Sequence, residues 1–157
     1  MQTSSQRLKD YWLSQGKVNS QRADEASLKR FEDKYRVSLP QDMRQYFSEV
    51  NGMEIYWPND KDNRGFSFWS LERVTTVPEE CRVRNLPDCL FGGAELYFVF
   101  ADYLDWSWAY AINLYEKENN PVIIIGGAKE PKLIASSFTE FTDLYLTDSS
   151  LLYSAND

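Results

Sequence analysis

"LPQDMRQYFSEVNG", residues 39–52, is a helix whose two ends are both marked in the sequence. Pro40 suits the first helical position, where its missing N–H costs nothing, and Asp42 sets a negative charge at the positive end of the helix dipole. Leu39, Met43, Tyr46, Phe47 and Val50 follow the spacing of one buried face, and Asn51-Gly52 closes it with a glycine free to take positive φ. A helix buried along one stripe needs a partner layer, and the chain on either side supplies it.

Upstream, "SQRLKDYWLSQG" sets Leu8, Tyr11 and Trp12 on one face and stops at Gly16. "NSQRADEASLKRFEDKY" places Leu28, Phe31 and Tyr35 on a stripe behind an Asn19 or Ser20 cap, with Asp24 and Glu25 early and Lys34 late. Downstream of Gly52 the period changes. "MEIYWPNDKDNRG" reads as a short extended piece and a polar loop, and "FSFWSLERV" alternates Phe66 and Phe68 against Ser67 and Trp69 as a strand does. "TVPEECRVRNLPDCLFGGAE" is predicted irregular, with a helical turn near Pro78. "LYFVFA" reads as a strand buried on both faces and "DYLD" as a turn. "WSWAYAINL" reads as a strand with Trp106, Trp108, Tyr110, Ile112 and Leu114 on one face and small residues on the other, against which a helix packs. "EKENN" is a hairpin connection, "PVIIIGG" a third core strand, "KLIA" a short edge strand, and "SSFTEFTDLYLTDSSLL" a helix with a Ser137/Glu140 capping box. The order predicts an α+β domain: an antiparallel, meander-like sheet of about four to six strands, with N-terminal helices and a C-terminal helix packed against it.

Composition bounds the function. The 157 residues are 43% hydrophobic and 15% aromatic, enough for one domain with a real core. The longest apolar runs fall far short of the roughly 20 residues that span a bilayer, and the N-terminus lacks the apolar core of a signal peptide, which predicts a cytoplasmic protein. Two cysteines, Cys81 and Cys89, are too few for a disulfide framework and are expected as reduced thiols. The chain has no histidine, which removes Ser-His and Cys-His nucleophiles and the usual zinc ligand. Net charge is −7 and unevenly spread: residues 1–44 hold nine Lys/Arg against six Asp/Glu, the remainder eight against eighteen. Such a surface repels nucleic acid and anionic lipid and steers toward a basic partner.

The catalytic candidates are Asp102 and Asp105 in "DYLD", since paired carboxylates divide acid and base roles or hold a divalent metal; a turn between strands also favours Asp for its own sake. "NDKDNRG", residues 59–65, lacks the spacing and the closing Glu of a calcium loop, and the Gly pairs of "FGGAE" and "IGGAK" fit neither the phosphate-loop nor the dinucleotide pattern. The sequence therefore implies no metal and no cofactor. Tyr56 and Trp57 in "EIYWPND" make an aromatic group beside acids, the composition of an interface anchor or of a core.

In this order and spacing the chain resembles the SUKH superfamily, the Smi/Knr-type domain of bacterial toxin-immunity loci and some eukaryotic regulators. "LKRFEDKYRVSLPQDMRQYFSEVNG" (28–52) is similar to that family's opening helix pair, "FSFWSLERV" to its first strand, "FADYLDWSWAYAINL" to its central hairpin, "PVIIIGG" to the next strand and "IASSFTEFTDLYL" to the closing helix. The likeness runs from about residue 21 to 148, leaving the first helix as an addition to a single domain over 1–157; "EECRVRNLPDCLFGG" and the absence of histidine depart from it. The resemblance implies a non-enzymatic binding role, many members being thought to neutralise a cognate toxin, frequently a nuclease with a basic groove, by direct association. Against that expectation the predicted contact residues are Glu54, Tyr56, Trp57, Asp60 and Asp62, with Asp102 and Asp105. A regulatory scaffold without a toxin, and a carboxylate-dependent hydrolase built on Asp102 and Asp105, are the competing readings.

Overall fold

The computed structural model describes residues 2–86, 90–116, 118–127 and 129–153. Asp88, Cys89 and Lys117 of the predicted loops lie outside them.

Three helices open the chain: α1 (Ser4–Leu13), α2 (Glu25–Tyr35) and α3 (Gln41–Glu49). Asp24, and neither Asn19 nor Ser20, caps α2 by accepting from the Ser27 N–H. Asn19 is used elsewhere, as described below. Pro40 is the cap residue of α3 itself, one position before the predicted first turn. Met43, Tyr46 and Phe47 are fully buried, as their spacing requires.

Six strands form one antiparallel sheet: β1 (Phe66–Phe68), β2 (Thr75–Thr76), β3 (Tyr97–Tyr103), β4 (Trp108–Asn113), β5 (Val122–Gly126) and β6 (Lys129–Ala135). β3 to β6 form a meander. β1 and β2 lie end to end along the outer edge of β3, β1 beside Ala101–Tyr103 and β2 beside Phe98–Val99. The chain leaves the edge between them, although the Trp69 N–H still donates to the Phe100 carbonyl. At the opposite edge β6 carries Pro131, which has no N–H to offer, and pairs with β5 through two register shifts.

Three segments differ from the sequence reading. The stretch after β2 is a helix, α4 (Val77–Arg84), capped by Thr76, which accepts from Glu79 N–H, and with Pro78 in its first turn. Asp102 and Tyr103 belong to β3, so the turn is Leu104–Ser107, and Trp106 sits in it rather than in β4. Edge strand β6 is also longer than "KLIA", running from Lys129.

One face of the sheet, with Phe66, Phe68, Phe98 and Tyr110, meets α5 (Phe138–Leu146) and the rings of α1 and α2, and α3 packs on α5. Phe68 lies 4.6 Å from Tyr145 and 5.1 Å from Trp12, Phe100 5.0 Å from Phe141, and Tyr46 4.7 Å from Phe138. Such tilted and edge-on ring pairs add about 0.5–1.5 kcal/mol each beyond their buried area. The other face, with Ala109, Ala111 and Ile125, is buried as well, and α4 packs over β2 and β3 on this part of the molecule. Cys81 of α4 is disulfide-bonded, so the expectation of a reduced thiol does not hold for it. Among the described residues no helix is long and apolar enough to cross a membrane.

The Asn51-Gly52 pair does more than end a helix. Asn51 takes positive φ (61°), its side chain accepts from Leu71 N–H and donates to the Gln21 carbonyl at 2.8 Å each, and its own carbonyl accepts from Asn19 at 2.7 Å. Gly52 passes so close to the next strand that an added Cβ would stand 2.6 Å from the Trp69 carbonyl carbon. The pair therefore clamps α3, the approach to α2 and the exit of β1 together, and aims the chain into the loop 53–65.

Candidate functional site

Loop 53–65 is tied to its neighbours by buried polar groups along its length. Met53 bridges Val18, the Glu54 N–H donates to the Lys17 carbonyl at 2.8 Å, and the Tyr56 hydroxyl donates to the Gly16 carbonyl at 2.9 Å. Asp60, 2% exposed, accepts from the Lys17 ammonium at 2.6 Å, from Tyr56 N–H at 3.0 Å and from Lys61 N–H at 2.9 Å. Burial pushes its carboxyl up, but the bonds from Lys17 and the two backbone N–H groups outweigh that and hold it below the ordinary carboxylate value. Lys17 also lies over the rings of Tyr56, at 5.3 Å, and Trp57, at 4.9 Å.

Asp62 is the second internal anchor. It accepts from Arg64 N–H at 2.8 Å, from Phe66 N–H at 2.9 Å and from the Tyr145 hydroxyl, which itself accepts from Trp12 Nε1 at 2.8 Å. Burial and the Asp62 carboxylate push the Tyr145 hydroxyl far above its usual range. Arg64 completes the attachment, pairing with Asp148 at 2.6 Å and donating to the Tyr145 carbonyl at 2.7 Å.

Asp102 and Asp105 are engaged by different partners. Asp102 is 5% exposed and accepts from Trp69 Nε1 at 2.8 Å and Trp106 N–H at 3.3 Å, with Arg73 at 3.9 Å. Burial raises its carboxyl above the ordinary value, in part offset by the Trp69 bond and the charges of Arg73 and Arg84. Asp105 is half exposed and reaches Lys61 at 3.2 Å. Asp60, Asp102 and Asp105 line one narrow cleft whose free volume of about 20 Å³ admits a single water-sized molecule, and Lys61, Arg73 and Arg84 line it as counter-charges. Among the described residues no group of three or more His, Cys, Asp or Glu is placed to share a metal ion.

The turn bearing Asp105 has an uncommon backbone: Leu104, Asp105 and Trp106 have φ of 46°, 55° and 68° in succession. Each non-glycine residue in the left-handed region costs about 1–2 kcal/mol, so the surroundings must hold it. The Leu104 N–H donates to the Gly65 carbonyl at 2.9 Å, the Asp102 carboxylate holds the Trp106 N–H, and Lys61 holds Asp105.

The predicted site residues thus divide. Asp60, Asp62 and Asp102 are buried and face inward, as internal supports. Tyr56 and Trp57 are 61% and 59% exposed, beside exposed Ile55 and half-buried Glu54, and the tie from Lys61 to Asp105 joins this loop to exposed Leu104 on the neighbouring turn. Sequence reasoning did not find Lys17, Arg64 or Arg73; the one local signal was Lys17, directly after the Gly16 stop of α1.

A search among curated proteins finds no match for the chain. The helix pair, the split edge strand, the four-strand meander and most of the closing helix fall within residues 22–144, which match the family model described as SMI1/KNR4 family (SUKH-1), and the chain belongs to that family.

Proposed function

We propose that this protein is a non-enzymatic binding domain that neutralises a cognate bacterial toxin in the cytoplasm by direct, stoichiometric association, the partner presenting a basic surface such as a nuclease groove. One observation carries this reading: two large rings, Tyr56 and Trp57, stay exposed on a loop held down by buried Asp60 and Asp62. A pre-held loop loses little freedom on binding, so exposed aromatic side chains on it are suited to be anchors. Glu54 and Asp105 supply the surface carboxylates for a basic partner, and Asp60, Asp62 and Asp102 act behind them by fixing the loop and the turn. In a reducing cytoplasm the Cys81 disulfide is expected to open, so complex formation belongs on both sides of thiol reduction.

The test is co-expression with the product of the neighbouring gene, scored for growth rescue and for a stable complex on size exclusion. Tyr56→Ala with Trp57→Ala is expected to weaken the complex by about 2 kcal/mol or more while the fold is kept. A double variant that binds and rescues as the parent does overturns the site. A stable complex with a partner that is not toxic would favour a regulatory scaffold.

A further inference from the structure

A second recess lies away from the Tyr56/Trp57 loop and shares no residue with it. It runs between α2 and the segment that joins β1 to β2, with a volume of about 200 Å³. Phe31, Tyr35, Leu71 and Val74 form its floor; Ser27, Arg30 and Lys34 stand on the helix bank and Glu72 on the other. The floor is rigid, since Phe31 packs 4.9 Å from Tyr35 and 5.7 Å from Phe98. A cavity of roughly 150 Å³ with apolar walls takes a benzene ring, so this one has room for one leucine- or phenylalanine-sized side chain.

The rim is the informative part. In a chain of net charge −7, Arg30 and Lys34 stand one helical turn apart, and among the described residues neither makes an ion pair. Arg30 donates only to the Ser27 hydroxyl at 3.1 Å, and Lys34 rests over the Tyr35 ring. By contrast Arg44 pairs directly with Glu25 and Glu32, and Arg82 with Glu79, whereas Asp24 and Glu79 act on Arg30 and Lys34 through space without closing an ion pair. From Ser27 to Lys34 the helix rises about 10 Å, the length of about three residues of extended chain.

We propose that this groove receives a short extended segment of a protein partner in which an apolar side chain is flanked by acidic residues. The apolar side chain enters between Phe31, Tyr35, Leu71 and Val74, and the carboxylates meet Arg30 and Lys34. The inference is independent of the toxin reading, because it concerns a different surface and the opposite charge preference.

The probe is a capped peptide of the form Gly-Glu-Leu-Asp-Gly, titrated into isotope-labelled protein by NMR, with a peptide carrying lysine in place of both acids as control. Saturable shifts at the amides of Ser27, Phe31, Leu71 and Val74 are expected, absent with the basic peptide. Affinity should fall about tenfold in Arg30→Gln with Lys34→Gln, a pair of exposed changes that leaves the thermal midpoint in place. Trp57→Ala should leave the titration unchanged, which separates failure of this inference from failure of the toxin reading. Equal binding of the basic peptide, or no saturable shift at millimolar peptide, overturns the proposal. So does self-association of the free protein that disappears in the Gln variant without peptide binding, which would assign the groove to a second copy.

Discussion

Replacing Lys17 with Met tests whether a buried ion pair holds the candidate binding loop. Lys17 and Asp60 have side chains 12% and 1% exposed and meet at 2.6 Å. Removing one member of a buried pair costs about 3–5 kcal/mol where the survivor is left without partners. Asp60 keeps the N–H groups of Tyr56 and Lys61, so the loss falls to about 2–3 kcal/mol, to which the lost contacts over Tyr56 and Trp57 add about 0.5–1 kcal/mol. At about 2–4 °C per kcal/mol for a chain of this size, the thermal midpoint should drop by roughly 5–15 °C. Asp60→Leu alone leaves Lys17 facing its apolar replacement, and the double variant should recover part of the loss. The assay is a double-mutant cycle in urea, read by near-ultraviolet circular dichroism and by hydrogen exchange at the Tyr56 and Lys61 amides. A coupling energy below about 0.5 kcal/mol, together with unchanged exchange at those amides, refutes the role given to the pair.

Gly52→Ala should destabilise by about 3–5 kcal/mol, because it combines positive φ with a Cβ pressed onto the Trp69 backbone, whereas Gly16→Ala, with φ 68° and nothing within 4 Å, should cost only about 1–2 kcal/mol; equal losses in urea unfolding would remove the clamp argument. At Leu104 the usual order of Ala over Gly is expected to invert, Leu104→Gly being more stable than Leu104→Ala by about 1 kcal/mol, since only Gly relieves the left-handed backbone; denaturant midpoints of the two variants decide it. The pH dependence carries two opposite signs. Asp60 has a folded pKa below its unfolded value, so its contribution is complete above about pH 4 and is lost as pH falls through the lowered folded value; Asp60→Asn should flatten that acid limb. Asp102 has a raised folded pKa, so its ionisation removes stability as pH rises from about 4 to the folded value, and Asp102→Asn should remove that fall.

The parts of the fold that could be read from sequence are those fixed by local periodicity and capping. α3, α5 and the alternation of β4 announce themselves because each side chain's fate is decided within a few positions. α4 was legible only as a helical turn near Pro78, although Thr76 and Glu79 form its capping pair, because "VPEECRVR" shows no apolar stripe. The exposure of the candidate site residues was legible in part. Exposure of Tyr56 and Trp57 fits an aromatic pair between polar residues and a proline, but the burial of the three aspartates depends on distant partners. Asp62 bonds Tyr145, 83 positions on, and Asp60 pairs with Lys17, 43 positions back. No local pattern distinguishes a carboxylate that meets solvent from one that meets a lysine across the fold, so an acidic loop sequence overstated the acidity of the loop surface.

The two borders of the sheet bear on how a partner would be recognised. One border is occupied by two short strands with a gap between them, and the other bears a proline, so neither offers an uninterrupted row of backbone groups to an incoming strand. Recognition by backbone pairing is insensitive to side-chain identity and would let many partners in. With that route closed at both borders, a partner has to be chosen by side chains; on the two proposals above these are the side chains of loop 53–65, of the turn after β3 and of the groove beside α2, where single replacements would redirect specificity while the sheet beneath stays as it is.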